Sequence, residues 1–499
     1  MRGLLRSISV AAAGAGIVVG ASSLSAPLHL APGTSHGPAA TAHTQPVTRS
    51  QVICPGPESL GVAGLLDSGT QVSSVTAVAA PETALPSSLA EGLGLDTSMS
   101  PGTLEVGGLP SGGTWAPSVT ARGHSVSGKI SVPQSALVTG AGALAPGLVA
   151  TQRSWVRSGD NAGLFTAACM PAASSSWLIA GGAEPGRRER LVLTNPGPNP
   201  VTVDLAVIGV SGPVQSANGR GLVVGPHQRT VVLLDAIAGS EPSPVVHVIA
   251  QGGEVAAVLS DTWLDGVVPR GGDDATPVAA PAREQVIAGV AIAGRATLRV
   301  GVPGDDEAVV EVRVLTAGGP KALPANGVMR LTAHSTKDLD LSALPPDAYA
   351  VQVRADVPVV AAAMVDRRLA ATATPSDLAW SGASAPITTV AGMAVRGPGD
   401  TGLSARLYLA ATDDPASVVV TTAGADGKVS ANTVAVAADS VSTLPLDGVT
   451  SVWVTAGTGT VRAAVATWAG DPRGVALSVT PMTDLTLTTT SAPLRELRD

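Results

Sequence analysis

Two glycine-rich stretches come nearest to nucleotide-binding loops. Residues 123–130 carry both glycines and Lys129 at the spacing of G-x-x-x-x-G-K-[ST], but Ile130 stands where that loop needs a hydroxyl to hold magnesium. Residues 140–145 satisfy G-x-G-x-x-A, yet Pro146 disfavours the helix that must follow. We interpret both stretches as turns, and we expect no nucleotide and no other cofactor.

Carboxylate pairs and histidines are the remaining candidates for metal or acid–base chemistry. Calcium needs several oxygen ligands converging on one point, and no D-x-D-x-[DN]-G pattern is present. The seven histidines form no close pair of ligands. We therefore predict no metal site, no catalytic residue and no enzymatic activity. We expect the acidic pairs to be solvated turns in loops: Asp273-Asp274, Asp305-Asp306 and Asp413-Asp414.

Three tryptophans recur at one position of the repeat that organises the chain. Trp155, Trp263 and Trp468 each end the last strand pair of a repeat, and the third repeat has Arg368 near that place. Such residues either pack within and between repeats or form contact surfaces for sugars or a partner protein. We therefore treat them as contact or packing residues. Only 2% of the chain is aromatic, which supplies an extended sugar-binding platform poorly.

Cys54 and Cys169, the two cysteines, bracket the first repeat. In an exported protein an even count of two predicts one disulfide, and closing a loop of this length would contribute roughly 4 to 5 kcal/mol in the chain-entropy model. The alternatives are two free thiols, or a metal site that no further cysteine or histidine pair supports.

The elements that would position these residues repeat about every 105 residues. Ile179-Ala180-Gly181 recurs as Ile287-Ala288-Gly289 and as Val390-Ala391-Gly392, and a diverged copy precedes them. Each copy then alternates apolar and polar residues around a Gly, Pro or Asp turn, which predicts a hairpin. A second hairpin closes each copy, at residues 136–155, 245–259, 349–365 and 452–466.

This pattern predicts an all-β chain of tandem immunoglobulin-like β-sandwiches behind an N-terminal signal or anchor helix. A β-propeller with merged blades and a helical solenoid are the alternatives, but their repeats are shorter, at roughly 33 to 50 residues. Short inter-repeat segments favour a stiff rod, whereas proline-rich joints at 275–281 and 373–386 would allow bending. The predicted segments are a signal peptide or anchor (1–26), a flexible linker (27–49), four β-domains (50–173, 174–283, 284–384 and 385–485) and a tail (486–499).

The N-terminus predicts export. Arg2 and Arg6 precede an uncharged run over residues 8–24 and then small residues, as in a signal peptide, although an uncleaved anchor stays open. The 499-residue chain has a net charge of −8, and removal of these two arginines would leave −10. Such a surface repels phosphate backbones, so we expect no nucleic-acid partner. We expect membrane contact only through residues 1–26.

The export segment, Cys54-Pro55-Gly56-Pro57, the turn at residues 193–197 and the hairpin at 245–259 together resemble an uncharacterised family of exported proteins from high-GC Gram-positive bacteria. Members of that family tend to be encoded beside a large membrane glycosyltransferase and genes of envelope sugar metabolism. The resemblance therefore implies a role in the cell envelope, and it brings no catalytic residues with it.

These observations lead to one functional expectation and two alternatives. We expect a non-enzymatic, extracytoplasmic adaptor or scaffold, secreted or anchored to the outer face of the cytoplasmic membrane. It would present strand edges and inter-repeat clefts to a protein partner of the glycosyltransferase or envelope-polysaccharide machinery. The first alternative is a carbohydrate-binding module for envelope polysaccharide. The second, a hydrolase, would need a cleft with converging polar groups and perturbed pKa values.

Overall fold

The computed structural model describes residues 43–62, 71–87, 89, 102–110, 113, 115–321, 323, 327–368, 376–397, 400–469 and 475–491. The predicted export segment 1–26, residues 27–42 of the predicted linker and residues 492–499 of the predicted tail lie outside them. Residues 46–489 form one compact unit. β1 (His43–Pro46) pairs with β34 (Thr488–Ser491).

The described residues are nearly all strand, and the sheets are antiparallel, which confirms the predicted all-β sandwich fold. Helical structure in the described part is short: single turns lie at Glu82–Ala84, Gly142–Leu144 and Asp235–Ala238, and Ser87, Leu89 and Gly327 are also helical. None of the helices in these ranges is long and apolar enough to cross a membrane.

In the first sandwich the described strands are β2 (Arg49–Cys54), β3 (Ser73–Ala79), β4 (Thr103–Leu109), β5 (Ser125–Ile130), β6 (Ser135–Ala141), β7 (Leu148–Val156) and β8 (Gly163–Ala168). They form one sheet in the order β2-β6-β4 and a second in the order β5-β3-β7-β8.

In the second sandwich they are β9 (Ser175–Ile179), β10 (Arg187–Thr194), β11 (Val201–Gly209), β12 (Gly212–Val214), β13 (Leu222–Val224), β14 (Arg229–Leu233), β15 (Val245–Gln251), β16 (Ala256–Asp265) and β17 (Val268–Ala275). One sheet runs β12-β11-β15-β9, with β13 also on β11, and the other runs β14-β10-β16-β17.

The third sandwich contains β18 (Ala282–Ile292), β19 (Ala296–Gly301), β20 (Ala308–Thr316), β21 (Gly319–Lys321), β22 (Val328–Leu331), β23 (Thr336–Asp340), β24 (Asp347–Arg367) and β25 (Asp377–Gly382). The long strand β24 belongs to both of its sheets. Residues 347–355 pair with β18 and β20, whereas residues 360–367 pair with β19 and β25.

The fourth sandwich contains β26 (Val390–Ala394), β27 (Leu403–Ala411), β28 (Ala416–Gly424), β29 (Val429–Val436), β30 (Ser440–Pro445), β31 (Val449–Thr458), β32 (Val461–Ala469) and β33 (Leu477–Pro481). Its sheets have the orders β26-β31-β28-β29 and β30-β27-β32-β33.

The predicted hairpins are wrong in their pairing. Apart from the one predicted at 349–365, the two strands of each predicted hairpin lie in opposite sheets of their sandwich, as β10 and β11 do at the start of the second repeat and β15 and β16 do at its end. Residues 349–365 are instead part of the single continuous strand β24. Each of the other turns therefore carries the chain across the core rather than back along one sheet. Alternation along a strand shows which residues face the core, but it does not show which strand lies alongside.

The predicted rod is also wrong, because the four sandwiches, within residues 46–489, close into a ring. Neighbouring sandwiches share buried apolar clusters at all four contacts, including the contact between the fourth and the first. Representative residues in these clusters are Val62 with Val231, Val248 with Trp380, Val290 with Val479, and Trp453 with Val149. Closing the ring buries apolar surface that a rod would leave exposed at its two ends.

Candidate functional site

The last strands of the four sandwiches, β8, β17, β25 and β33, meet at the centre of the ring. The first residues of β8, β25 and β33 and the middle of β17 lie around a buried polar cluster of Asp261, Asp273 and Asp377, which we call the hub. The last residues of these four strands, or the residues just after them, line a cavity, which we call the axial cavity. Both features are therefore built from all four sandwiches.

Asp377, at the start of β25, joins all four sandwiches at the hub. Its Oδ2 accepts backbone N–H bonds from Leu164 of the first sandwich (3.0 Å) and Leu477 of the fourth (2.8 Å). Its Oδ1 accepts from Gly272 of the second (3.1 Å) and from Leu378 beside it (3.0 Å). The residue is fully buried. Burial raises the pKa of Asp377 well above its ordinary range, although the amide donors favour its ionised form.

Glycine permits this close approach of backbones. A Cβ on Gly271 would lie 2.0 Å from Asp377 Oδ1, and Gly271 also has a φ of +96°. A Cβ on Gly163 would lie 2.8 Å from the Gly272 nitrogen. Any larger residue at these two positions would push the strands apart.

A buried ion pair at Asp261 connects the second and third sandwiches. Arg187 donates to both carboxylate oxygens of Asp261, at 2.9 and 2.6 Å, and the indole N–H of Trp380 donates to Oδ2 at 2.7 Å. Burial alone would raise the pKa of Asp261, but the Arg187 charge and these hydrogen bonds hold it below its ordinary value. The pair is thus charged and satisfied, which a buried ion pair requires.

Other buried acids of the described sandwiches also have raised pKa values. Asp273 accepts hydrogen bonds from the backbone N–H of Trp380 and from the Ser478 hydroxyl, both at 2.8 Å. Burial raises the pKa of Asp273 well above its ordinary range. Burial and the neighbouring Glu58 carboxyl raise the pKa of Asp274 to about 7. Burial and the nearby Asp261 carboxylate raise the pKa of Glu189 to about 8.

The hub has perturbed pKa values, yet it joins sandwiches rather than presenting groups to a substrate. Asp261, Asp273 and Asp377 have almost no exposed surface, and their acceptor positions are bonded to neighbouring strands. Perturbed carboxyls mark catalytic sites when they lie in a cleft, and ion-pair networks within a core also perturb them. Within the described ranges no group of three or more His, Cys, Asp or Glu residues could hold a metal ion.

The axial cavity, at the other end of the same four strands, has a volume of about 570 Å³. Aliphatic side chains and alanines form much of its wall, and hydroxyl groups from the connecting segments add to it. Its charged lining residues are Arg49 and Asp484. Lining residues that represent the four sandwiches are Val52, Ala168, Val278, Ala383, Met393 and Leu485.

The predicted disulfide is confirmed. Cys54 and Cys169 are joined, with their Cα atoms 4.4 Å apart, and Cys169 also lies in the wall of the axial cavity. The bond connects β2 to the segment that follows β8, so it closes the first sandwich.

The structure places the three tryptophans next to contacts between or within sandwiches. Trp155 is half-buried, with the Arg157 guanidinium carbon 3.5 Å from its ring centroid. Trp263 is 9% exposed and donates its indole N–H to the Pro185 carbonyl at 3.3 Å. Trp468 packs against the cluster shared by the third and fourth sandwiches.

The third sandwich departs from this pattern at the hub itself. Each of the three tryptophans pairs with a residue of a central strand: Trp155 with Leu164 of β8, Trp263 with Gly271 of β17, and Trp468 with Leu477 of β33. At the corresponding position Arg367, rather than the predicted Arg368, pairs with Asp377. The arginine in place of a repeated tryptophan is a sequence signal that could have indicated the hub, but by itself it did not predict it.

The prediction of solvated acidic pairs is wrong for Asp273-Asp274. Both residues lie on β17 and are buried at the ring centre. The residues predicted as a loop form a strand that is buried by β8 and β25 of other sandwiches. A local sequence pattern does not reveal such neighbours. Asp305-Asp306 and Asp413-Asp414 do lie in exposed turns.

Protection of one sheet edge differs among the four sandwiches. In the second sandwich, β11 is flanked by short strands, and one of them, β12, contains Pro213. In the third sandwich, β20 is flanked by the short strands β21, which contains Pro320 and Lys321, and β22, which contains Arg330. In the first, residues 115–119 cover β4 through backbone bonds to Leu104 and Val106.

The corresponding edge of the fourth sandwich is open in the part of the chain that the structure describes. There β29 is a continuous strand of eight residues with no proline and no charge, and most of its residues are exposed. Short strands, prolines and charges are the usual protection of an edge. The edge of β29 lacks all three.

The comparisons with known proteins identify a family. A family described as of unknown function, DUF5719, matches residues 124–447. The chain belongs to this DUF5719 family. This confirms the predicted membership of an uncharacterised family. A comparison with curated proteins found no match.

Among solved structures, the crystal structure of Thermotoga maritima 1070 is similar over 21% of this chain and 95% of that chain, with 16% identity and a TM-score of 0.18. A tetra-tandem repeat from the extending region of a large adhesion protein covers 79% of this DUF5719 chain and 93% of its own, with 14% identity and a TM-score of 0.09. We draw no functional conclusion from scores this low.

Proposed function

We propose that this protein is a non-enzymatic, exported adaptor of the cell envelope, and that its partner protein adds a strand to the open edge of β29. The observation that carries the proposal is the difference among the four edges described above. Three sandwiches block the edge, whereas the fourth presents eight uncharged residues. Strand addition to such an edge is a common mode of peptide recognition.

The backbone groups that would bind the partner follow from the register of the hairpin. The Gly424 N–H bonds the Lys428 carbonyl at 3.0 Å, and bonded pairs alternate from there along an antiparallel ladder. Ser430 and Asn432 therefore bond inward to β28. Ala431 and Thr433 direct their N–H and C=O groups outward, as do the residues at 429 and 435.

The size of this edge favours an extended segment of another protein over a second copy of the chain. A strand of eight residues is about 27 Å long, and two copies joined through it alone would bury far less than the roughly 800 Å² per partner of a stable interface. An extended segment gains its affinity from the backbone bonds themselves. Small and β-branched side chains would fit beside Ala431 and Thr433.

The closed ring supports an adaptor role, because a rigid frame holds the edge in one orientation. The hub bonds of Asp377 tie the fourth sandwich to the other three. The Cys54–Cys169 disulfide supports export, since such bonds persist in oxidising compartments. The envelope, and within it the glycosyltransferase and polysaccharide machinery, is the setting that the resemblance of the sequence implies.

The test removes two outward donors without disturbing the inward ladder. The variant Ala431→Pro/Thr433→Pro lacks both outward N–H groups, while proline is tolerated at a strand edge. The matched control Ala431→Ser/Thr433→Ser changes the same side chains and keeps the donors. Each protein is cross-linked in intact cells, and the copurifying envelope material is identified, with the export segment alone as a background control.

We expect a specific protein to be enriched with the native chain and the serine control and lost with the proline variant, while all three melt at similar temperatures. Equal recovery with the proline variant would reject the β29 site. Glycan without protein would instead support the carbohydrate-binding alternative, and nothing above background would reject the adaptor role. A cross-linked dimer of the chain that proline abolishes would replace the partner with a second copy.

A further inference from the structure

The axial cavity is chemically distinct from the β29 edge and lies elsewhere in the ring. Its 570 Å³ falls within the roughly 300–1,000 Å³ of small-molecule sites. A dry apolar cavity of about 150 Å³ holds one benzene ring, so this one has room for roughly 20 carbon atoms.

The wall is suited to a flexible aliphatic ligand. Its apolar side chains are valine, leucine, methionine, alanine and proline, and no aromatic ring is among the described residues that line it. Sugars and planar ring systems are usually held by stacking on aromatic faces, which this wall does not offer. A linear alkyl chain needs only apolar contact, which Val278, Met393 and Leu485 provide.

The charged residues of the lining favour an anionic group on that ligand. Asp484 is already bonded to the backbone N–H and hydroxyl groups of Thr388 and Thr389. Arg49, in contrast, is exposed and forms no ion pair with any described residue. Among the described residues of the lining there is thus one available cation, and it is an arginine, which binds a carboxylate or phosphate through two parallel hydrogen bonds.

One hydroxyl of the wall lacks a partner. Ser384 is 4% exposed, and its Oγ makes no hydrogen bond to any described residue. A buried hydroxyl without a partner is costly. A polar atom entering the cavity would have an acceptor or donor available there.

From the volume, the aliphatic wall, Arg49 and Ser384 together, we propose that the axial cavity binds a linear acyl chain that bears an anionic head group. The chain occupies the space between Val278, Met393 and Leu485, and the head group binds Arg49. A free fatty acid and the acyl chain of an anionic lipid share this chemistry, and the experiment separates them.

The experiment measures binding of hexadecanoate to the purified full chain by calorimetry and native mass spectrometry, with hexadecanol as the uncharged probe. Phosphatidylglycerol vesicles form a second arm. Two variants fill the cavity from half-buried alanines in its wall, Ala168→Trp and Ala279→Trp. Arg49→Gln removes the cation, and Arg283→Gln, at another exposed arginine near the start of a strand, is its control. Ala217→Trp controls for added tryptophan away from the lining.

We expect one hexadecanoate per chain, loss of binding in both filling variants, and about fivefold weaker hexadecanoate binding in Arg49→Gln with unchanged hexadecanol binding. Arg283→Gln and Ala217→Trp should bind as the native chain does. Binding to vesicles but not to dispersed hexadecanoate would identify a lipid as the source.

No binding of either probe and none to vesicles would overturn the proposal. Binding that survives both filling variants would do so as well, because the ligand would then lie elsewhere. If the filling variants do not fold, as judged by circular dichroism and melting, the contrast between Arg49→Gln and Arg283→Gln still decides the anionic part. Equal affinities in those two would reject it.

Discussion

The hub and the axial cavity lie at opposite ends of the same four strands, yet they are built in opposite ways. At the hub, Gly163 and Gly271 let backbones approach, and Asp377 bonds the amides of all four sandwiches. At the cavity the chain leaves the strands through connecting segments at 276–279, 383–385 and 481–486, and these enclose a space instead of filling it. One end of the strands thus holds the ring together, while the other end leaves the space that we propose as a ligand site.

The largest expected effect separates the hub from ordinary surface bonding. Asp377→Ala would leave amide donors of four sandwiches unpaired and buried, so we expect a loss of roughly 4–12 kcal/mol in the free energy of unfolding, at about 1–3 kcal/mol for each of the four donors. Urea denaturation measures it. The control is Asp484→Ala, which also removes several bonds to threonine but at a half-buried position where water can reach the freed donors, and it should cost under about 1 kcal/mol. Equal losses would contradict the special position of the hub.

The buried acids make stability depend on pH. Asp274 and Glu189 have folded-state pKa values of about 7 and about 8, above their unfolded values, so the folded protein retains protons that the unfolded chain releases. Stability should therefore fall as pH rises from about 5 to 8, by roughly 2–5 kcal/mol. Denaturation at several pH values tests this, and the variant Asp274→Asn/Glu189→Gln should make the profile less steep. A residual slope of the same sign should remain, because burial also raises the pKa values of Asp273 and Asp377. A native stability that rises over this range would contradict the assignment.

Loss of the disulfide tests the cavity end of the first sandwich. Cys54→Ala/Cys169→Ala opens a loop of 115 residues, and we expect a loss of roughly 2–4 kcal/mol, the typical measured range. This is below the chain-entropy value of roughly 4 to 5 kcal/mol and below the loss expected for Asp377→Ala. Differential scanning calorimetry of the variant and of the reduced native protein should agree. If reduction changes nothing, the disulfide does not stabilise this sandwich.

The smallest effect is expected from filling the cavity. Ala279→Trp adds a large side chain where space exists. We therefore expect its free energy of unfolding to differ from that of the native chain by under about 1 kcal/mol, which its melting temperature tests. The same addition at Gly271 in the hub would meet Asp377 and should prevent folding or cost several kcal/mol. Similar outcomes at both positions would remove the distinction between the two ends.

Local patterns were sufficient for some features of the molecule. The alternation in residues 201–209 and 308–316 predicted strands because it reflects one buried face, which is a property of consecutive residues. The two cysteines, bracketing one repeat, predicted their own pairing. The hub was missed because Asp273 and Asp274 read as a polar loop, and only contacts from other sandwiches bury them.

By itself, the sequence determined the all-β class, the period of about 105 residues, the disulfide and the places where the chain turns, since each depends on residue types over short stretches. Only the tertiary structure decided that these turns cross between sheets, that four sandwiches close into a ring, and that Asp377 joins them. Leu164, Gly272 and Leu477 lie 213, 105 and 100 residues from Asp377 along the chain. Contacts at such separations depend on how whole sandwiches pack, and no local pattern of side chains encodes them.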